Sequence, residues 1–221
     1  MRKLFSWLKR LLSTVCIFLA KGLIRLFIRP KVCYTSPAAR TALRDGPHVI
    51  ITNHASLLDI PVVITALGGS LHPLMAKDML EKHAALRLLL AAYPVIPVDR
   101  QQASLGWLRD CRKALREGHS VVIAPEGRIH PSRVVGAFKP GAVLLAATAG
   151  VSIIPAYHNA TFHWLLGKRW RILVGEPFLL QPPPDGLQPE ALQHQAEELH
   201  DLVNHLELQL NGSIRRSDTQ H

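Results

Sequence analysis

A chain of 221 residues, 48% of them hydrophobic, can bury one sizeable core, yet it is too short for two full domains and a linker. Its 26 Lys and Arg against 16 Asp and Glu leave a net charge of +10, which calls for an anionic membrane, a polyanion or phosphorylated small molecules as partners. Aromatic residues are only 6% and do not interleave with the cations, which speaks against nucleic-acid binding by stacking, and three scattered cysteines offer neither a disulfide framework nor a zinc set.

The first thirty residues read as helix. Leu8, Leu12, Val15, Leu19, Leu23 and Leu26 recur at steps of three or four, with Lys3, Arg10, Lys21 and Arg25 gathered opposite. This is the pattern of a basic amphipathic helix, or helix pair, that lies in a membrane interface. The uninterrupted apolar run, Leu11 to Ala20, is shorter than the ~20 residues of a straight span, and no small-x-small cleavage site follows it. A helix docked on the protein's own core is the alternative. The clustered cations and unpaired cysteines place the chain on the cytoplasmic face of a membrane.

From residue 45 onward the pattern alternates. "HVIIT" (48–52) reads as a buried strand, 56–68 as a helix ending at Gly68-Gly69, and "HPLMA" (72–76) as a strand. A helix at 78–92, a strand at 95–99 and a helix at 103–117 stopped by Gly118 follow. "SVVIAP" (120–125) is a strong strand, 140–149 a helix of small residues, and 151–157 and 169–177 two more strands. Such alternation predicts one α/β domain over 45–211 with a largely parallel, mixed sheet flanked by helices. Residues 1–44 are expected to form the membrane-associating segment. After the proline-rich linker 181–189, Leu192, Ala196, Leu199, Val203, Leu206 and Leu210 mark a closing helix, and 212–221 read as a frayed tail.

Functional groups in α/β sheets collect where strands end and helices begin. Three such places are polar here. The first, Asn53-His54-x4-Asp59, has two readings. Ser56 and Asp59 fit a helix capping box, with His54 an ordinary loop residue. If His54 lies in the loop before the helix, the chain can instead bring Asp59 to one ring nitrogen and leave the other as a proton acceptor. The residues alone do not choose, and Asp59 can serve both. The second place is "PVDR", where Arg100 either pairs with Asp99 at the surface or grips a phosphate. The third is "APEGRIHPSR", with Glu126, Gly127, Arg128 and Arg133 after the strongest strand. It reads as an exposed charged turn or as a site for a phosphorylated head group, and the second reading is favoured because all three arginines follow strand ends. The sequence holds no H-E-x-x-H, G-x-S-x-G, Walker A or G-x-G-x-x-G. None of its twelve histidines stands at metal-ligand spacing with a second donor set.

Taken in order, these sites resemble the motifs of the glycerolipid and lysophospholipid acyltransferases. N-H-x4-D is present as Asn53, His54 and Asp59, a β run ending in arginine as "VIPVDR" with Arg100, the F-P-E-G-T-R motif as "APEGRI", and the apolar run closing on proline as "VSIIPA" with Pro155. "FKPGA" at 138–142 also resembles the family's stretch between the last two. The third motif departs from the family pattern: Arg128 replaces threonine and Ile129 takes the usual arginine position, a variant similar to that of enzymes recycling lysophospholipids. The resemblance implies transfer of a fatty acyl group from acyl-CoA or acyl-carrier protein to 1-acylglycerol-3-phosphate or another lysophospholipid, such as 2-acylglycerophosphoethanolamine. It implies no cofactor, metal or nucleic acid. His54 is then the general base and Asp59 its orienting carboxylate. Arg100, Glu126, Gly127 and Arg128 would hold the head group, and Pro155 would stand by the acyl chain. The rival class is a non-catalytic basic peripheral membrane protein.

Overall fold

Runs such as Val49-Ile50-Ile51, apolar at consecutive positions, suit strands covered on both faces, because neighbouring side chains point to opposite sides. The computed structural model describes residues 2–82, 90, 93–99, 105–130, 134–159, 169–180 and 187–218. Its elements in chain order are α1 (Arg2–Leu23), which runs on into a π-helical turn (Ile24–Ile28), then β1 (Lys31–Tyr34), α2 (Pro37–Ala42), β2 (Val49–Thr52), α3 (Asp59–Leu67), β3 (Leu71–Ala76) and α4 (Lys77–Lys82). There follow β4 (Ile96–Val98), α5 (Gly106–Arg116), β5 (Ser120–Ile123), α6 (Gly141–Ala149), β6 (Ile153–His158), β7 (Arg171–Val174) and α7 (Pro189–Asp218).

The strands form one seven-stranded sheet in the order β1-β7-β6-β2-β5-β3-β4. β2 lies at its centre, parallel to β6 and β5, with Val49 opposite both Ile153 and Val121. β7 runs antiparallel to β6, and β1 pairs parallel to β7. The sheet is therefore mixed and mostly parallel. Ile50, Val122, Ile154 and Ile172 point to the face covered by Ile60 and Val63 of α3. Val49, Ile51, Val121, Ile123 and Ile153 point to the other face, under α5, α6 and α7. All six residues of the α7 stripe are buried. Each larger aliphatic side chain so buried contributes roughly 1.5–3 kcal/mol, which holds this long helix against the sheet.

Four boundaries differ from the sequence reading. β1 and α2 belong to the folded unit, which takes in residues from Lys31 instead of 45. The basic helical pattern before them masks a strand only four residues long. The closing helix continues to Asp218, past Gly212. One glycine costs a helix about 1 kcal/mol, too little to end one anchored along its length. α3 starts at Asp59 instead of 56, which leaves a loop for His54. At the N-terminus the chain forms a single continuous helix, one of the two arrangements expected, but Trp7–Ile28, 22 residues, is long and apolar enough to cross a membrane, whereas the run from Leu11 to Ala20 reads as too short. Its apolar side chains are exposed, Phe18 by 75% and Leu26 by 66%. At its end Ile24 and Ile28 pack against the buried Val62 and Trp170, the same pair that Ala55 of the His54 loop packs against. Parts of the expected helices at 78–92 and 103–117 lie outside the described residues.

Candidate active site

The carboxyl ends of the parallel strands β2, β5 and β6 meet at the centre of the sheet, and the loops that leave them build the site. Beyond β2, the Asn53 side chain donates to the His158 carbonyl at 3.1 Å and accepts from the His158 N–H at 3.0 Å, so the end of β2 is stitched to the end of β6. His54 comes next, in the loop before α3. Its Nδ1 lies 3.1 Å from Asp59 Oδ2. The Asp59 carboxylate is fully buried, and Oδ2 also accepts from the backbone N–H groups of Ala55 at 2.6 Å and Ser56 at 2.7 Å. The Ser56 hydroxyl donates to Oδ1. α3 begins at Asp59 with no side-chain cap, so the carboxylate ties down the loop N–H groups and orients His54 without capping the helix, and the spacing of five works because the loop folds back over the first helical turn.

This wiring fixes protons. Asp59 accepts, so His54 Nδ1 must carry its proton and Nε2 keeps its lone pair. Among the described residues no hydrogen bond occupies Nε2, and the ring is 19% exposed. Burial pushes the Asp59 pKa upward, but the bonds from His54 and Ser56 and the neighbouring His158 ring outweigh it, holding the carboxyl below its ordinary 3.8. Asp59 is an anion wherever the protein is folded near neutrality. The pair is an oriented base with a buried counter-charge.

Glu126, at the end of β5, was expected to contact a head group. The structure gives it another task. It is buried, at 4% exposure, and its Oε1 accepts from the His54 N–H at 2.7 Å while Oε2 accepts from the Gly136 N–H at 2.9 Å. The His130 N–H in turn donates to the His54 carbonyl at 2.7 Å. Glu126 therefore clamps the His54 loop to the loop after β5. Burial raises its pKa above the ordinary 4.5, against the opposing pull of those two N–H bonds. Gly127 has φ +69°, a conformation side chains avoid, and a Cβ there would come within 3.1 Å of Lys139 Nζ. Arg128 is exposed at the rim, and its Nε donates to His130 Nε2 at 3.0 Å. Pro155 lies buried within β6 opposite Ile51 and packs on Gly175, so it shapes the sheet and does not line an open path. Arg100 and Arg133 lie outside the described residues.

Sequence reasoning missed three nearby groups. Lys139 sits over Gly127 and is legible in "FKPGA" only as a pattern. His130 stands 3.6 Å from Glu126 Oε2 and looks like any loop histidine in the sequence. His158 ends an apolar strand, and only the pairing of β6 with β2 brings it to Asn53. Among the described residues no cluster could hold a metal ion.

The mixed α/β sheet thus carries a histidine–carboxylate pair at the carboxyl ends of its central strands, and among the described residues no serine or cysteine is hydrogen-bonded to that histidine. The chain belongs to the Acyltransferase family, whose model matches residues 32–159. It is 35% identical over 125 residues to the 1-acyl-sn-glycerol-3-phosphate acyltransferase of Pseudomonas aeruginosa, a match covering 54% of this chain and 47% of that protein. It is 31% identical over 113 residues to the chloroplastic 1-acyl-sn-glycerol-3-phosphate acyltransferase LPAT1 of Arabidopsis thaliana, covering 50% of this chain and 31% of that one. The aligned part thus spans less than half of the length of either relative. The crystal structure of the 1-acyl-sn-glycerophosphate acyltransferase PlsC from Thermotoga maritima shares the fold, with a TM-score of 0.61 and 18% identity over 90% of this chain and 81% of that one.

Proposed function

We propose that the chain transfers a fatty acyl group from a thioester donor, acyl-CoA or acyl-carrier protein, to the free hydroxyl of 1-acylglycerol-3-phosphate. The observation that carries this reading is the His54 ring, fixed through Nδ1 by Asp59 with Nε2 open. Nε2 takes the proton of the acceptor hydroxyl as its oxygen attacks the thioester carbonyl; the C–S bond of the tetrahedral intermediate then breaks, and the imidazolium returns the proton to the thiolate, which leaves as the thiol. The buried Asp59 stabilises the imidazolium that forms. A thioester is already activated, so no acyl-enzyme is required.

The cations at the rim suit a phosphate. Arg128 and Lys139 flank Gly127, and Arg100 is assigned with them by the motif order. Lipid access is supported by Leu57, 62% exposed, and Leu58, 39% exposed, in the loop between His54 and Asp59, and by the exposed apolar side chains of the N-terminal helix, whose end packs on Val62 and Trp170. The site would then open toward the cytoplasmic surface of a membrane, where both acyl chains reside. The altered third motif, Arg128-Ile129, supports a second reading in which the acceptor is a different lysophospholipid.

The test is acyl transfer from radiolabelled acyl-CoA and acyl-carrier protein to a panel of lysophospholipids in mixed micelles. The reading expects 1-acylglycerol-3-phosphate to give the highest kcat/KM. Turnover on a zwitterionic lysophospholipid alone would replace the acceptor, and thioester loss without acyl transfer would replace the reaction.

A further inference from the structure

Beneath the His54–Asp59 pair lies a second histidine that the acyl-transfer chemistry does not call for. His158 is fully buried at the end of β6. Its backbone N–H and carbonyl hold the Asn53 side chain, and its ring Nε2 lies 2.9 Å from the Asn53 carbonyl. The same Nε2 is 3.7 Å from Asp59 Oδ2, the oxygen that His54 Nδ1 also meets. The ring is stacked on Trp170, with centroids 5.5 Å apart. Because a carbonyl can only accept, Nε2 carries the proton. Nδ1 is then an acceptor, and it is buried without a hydrogen-bond partner among the described residues.

We propose that His158 is a positioning residue for the base: its Nε2–H, donated to the Asn53 carbonyl and lying beside the Asp59 carboxylate, holds both in register so that Asp59 Oδ2 faces His54 Nδ1. Packing alone is a poor explanation for the residue. A phenyl ring would also stack on Trp170, but it has no N–H for the buried Asn53 carbonyl, so the imidazole is kept for its Nε2–H although its Nδ1 goes unmet. The charge state fits the geometry. Burial keeps the ring neutral, against the opposing pull of Asp59 and of the bond to Asn53. A neutral ring leaves the negative charge of Asp59 available to His54. A cation at the same place would compete for it. Among the described residues the titratable groups facing His158 are Asp59 and His54 from the β2–α3 loop, while Tyr157 and Trp170 contribute ring faces.

The inference rests on the acyl-transfer reading, and the full chain tests it with and without turnover. In His158→Phe, kcat should fall about tenfold or more with the acceptor KM within about twofold, the pattern of lost positioning and not lost binding. The acid limb of its kcat/KM profile should move to higher pH, because the positive end of the N–H dipole no longer offsets the Asp59 field at His54. His158→Gln, whose amide N–H reaches a similar place, should recover most of the rate. Nitrogen-15 NMR of the wild-type imidazoles, which needs no substrate, should show His158 neutral and protonated on Nε2. A His158→Phe protein with unchanged kcat would overturn the inference. So would a rate loss that glutamine does not rescue with the acid limb unmoved, or an Nδ1–H tautomer at His158. If His158→Phe does not fold, the glutamine variant and the tautomer still decide. Absence of turnover on every acceptor by wild-type protein, with the Nε2–H tautomer present, would instead reject the reaction and leave the geometry standing.

Discussion

Replacing Glu126 by glutamine separates two roles for that residue. Both carboxylate oxygens accept backbone N–H groups, from His54 at 2.7 Å and Gly136 at 2.9 Å. Glutamine keeps the shape but offers one acceptor, so one N–H must face an NH2 group. Losing a hydrogen bond to a charged acceptor costs about 1.5–3 kcal/mol, offset in part because the carboxylate no longer has to be buried as an anion. A net loss of about 1–2 kcal/mol corresponds to roughly 2–8 °C in Tm for a domain of this size. The His54 loop is one of the two clamped segments, and a shift of about 1 Å at a reacting group can cost 100-fold in rate. Glu126→Gln should therefore lower kcat about 100-fold and Tm by a few degrees while leaving the KM for lysophosphatidic acid within about threefold. Differential scanning calorimetry and steady-state acyl transfer measure both. A normal kcat with a strongly raised acceptor KM would refute the clamp and restore Glu126 to the head group.

Other substitutions probe neighbouring parts. Asp59→Asn should leave His54 free to adopt the wrong tautomer and cut kcat by about 10³–10⁴-fold, with little change in acceptor KM in the same assay. Gly127→Ala forces a Cβ into a left-handed turn against Lys139, so a loss of about 1–2 kcal/mol and a raised KM for the phosphorylated acceptor are expected from denaturant unfolding and kinetics. His158 is held neutral by burial, so its folded pKa lies below the ordinary 6.5. Below that pH the unfolded chain takes up a proton that the folded chain refuses. Stability should then fall as pH drops through 6.5, by at most ~1.4 kcal/mol per pH unit for this group, and urea titrations at pH 5 and 7.5 should show a smaller loss in His158→Phe. Cys111, whose thiol burial and the nearby Asp110 push up to about 12, should resist iodoacetamide in the folded protein.

The sheet was legible because its strands are short β-branched runs between helical patterns, and the stripe on α7 named its own buried face. β1 escaped because four residues of mixed character after a basic helix carry no period of their own; only pairing with β7 makes them a strand. The His54–Asp59 pair was legible as a possibility, since spacing cannot tell a cap from a dyad. The fold answers with a carboxylate that orients His54 and holds the loop N–H groups before α3, which has no side-chain cap. Glu126 was visible, but its partners were not. Nothing in "APEGR" says that the carboxylate turns inward to meet backbone N–H groups of His54 and Gly136, which lie 72 and 10 residues away. Pro155 was placed at the acyl chain by motif order, whereas β6 is interior and buries it.

The central claim is that His54 Nε2 takes the acceptor proton. The most direct measurement is the acyl-transfer rate of His54→Ala in the full chain, with lysophosphatidic acid and an acyl thioester, on protein whose melting matches wild type. Loss of a general base should reduce kcat by about 10²–10⁴-fold with acceptor KM little changed. A folded His54→Ala protein that keeps its rate within about threefold of wild type would contradict the claim.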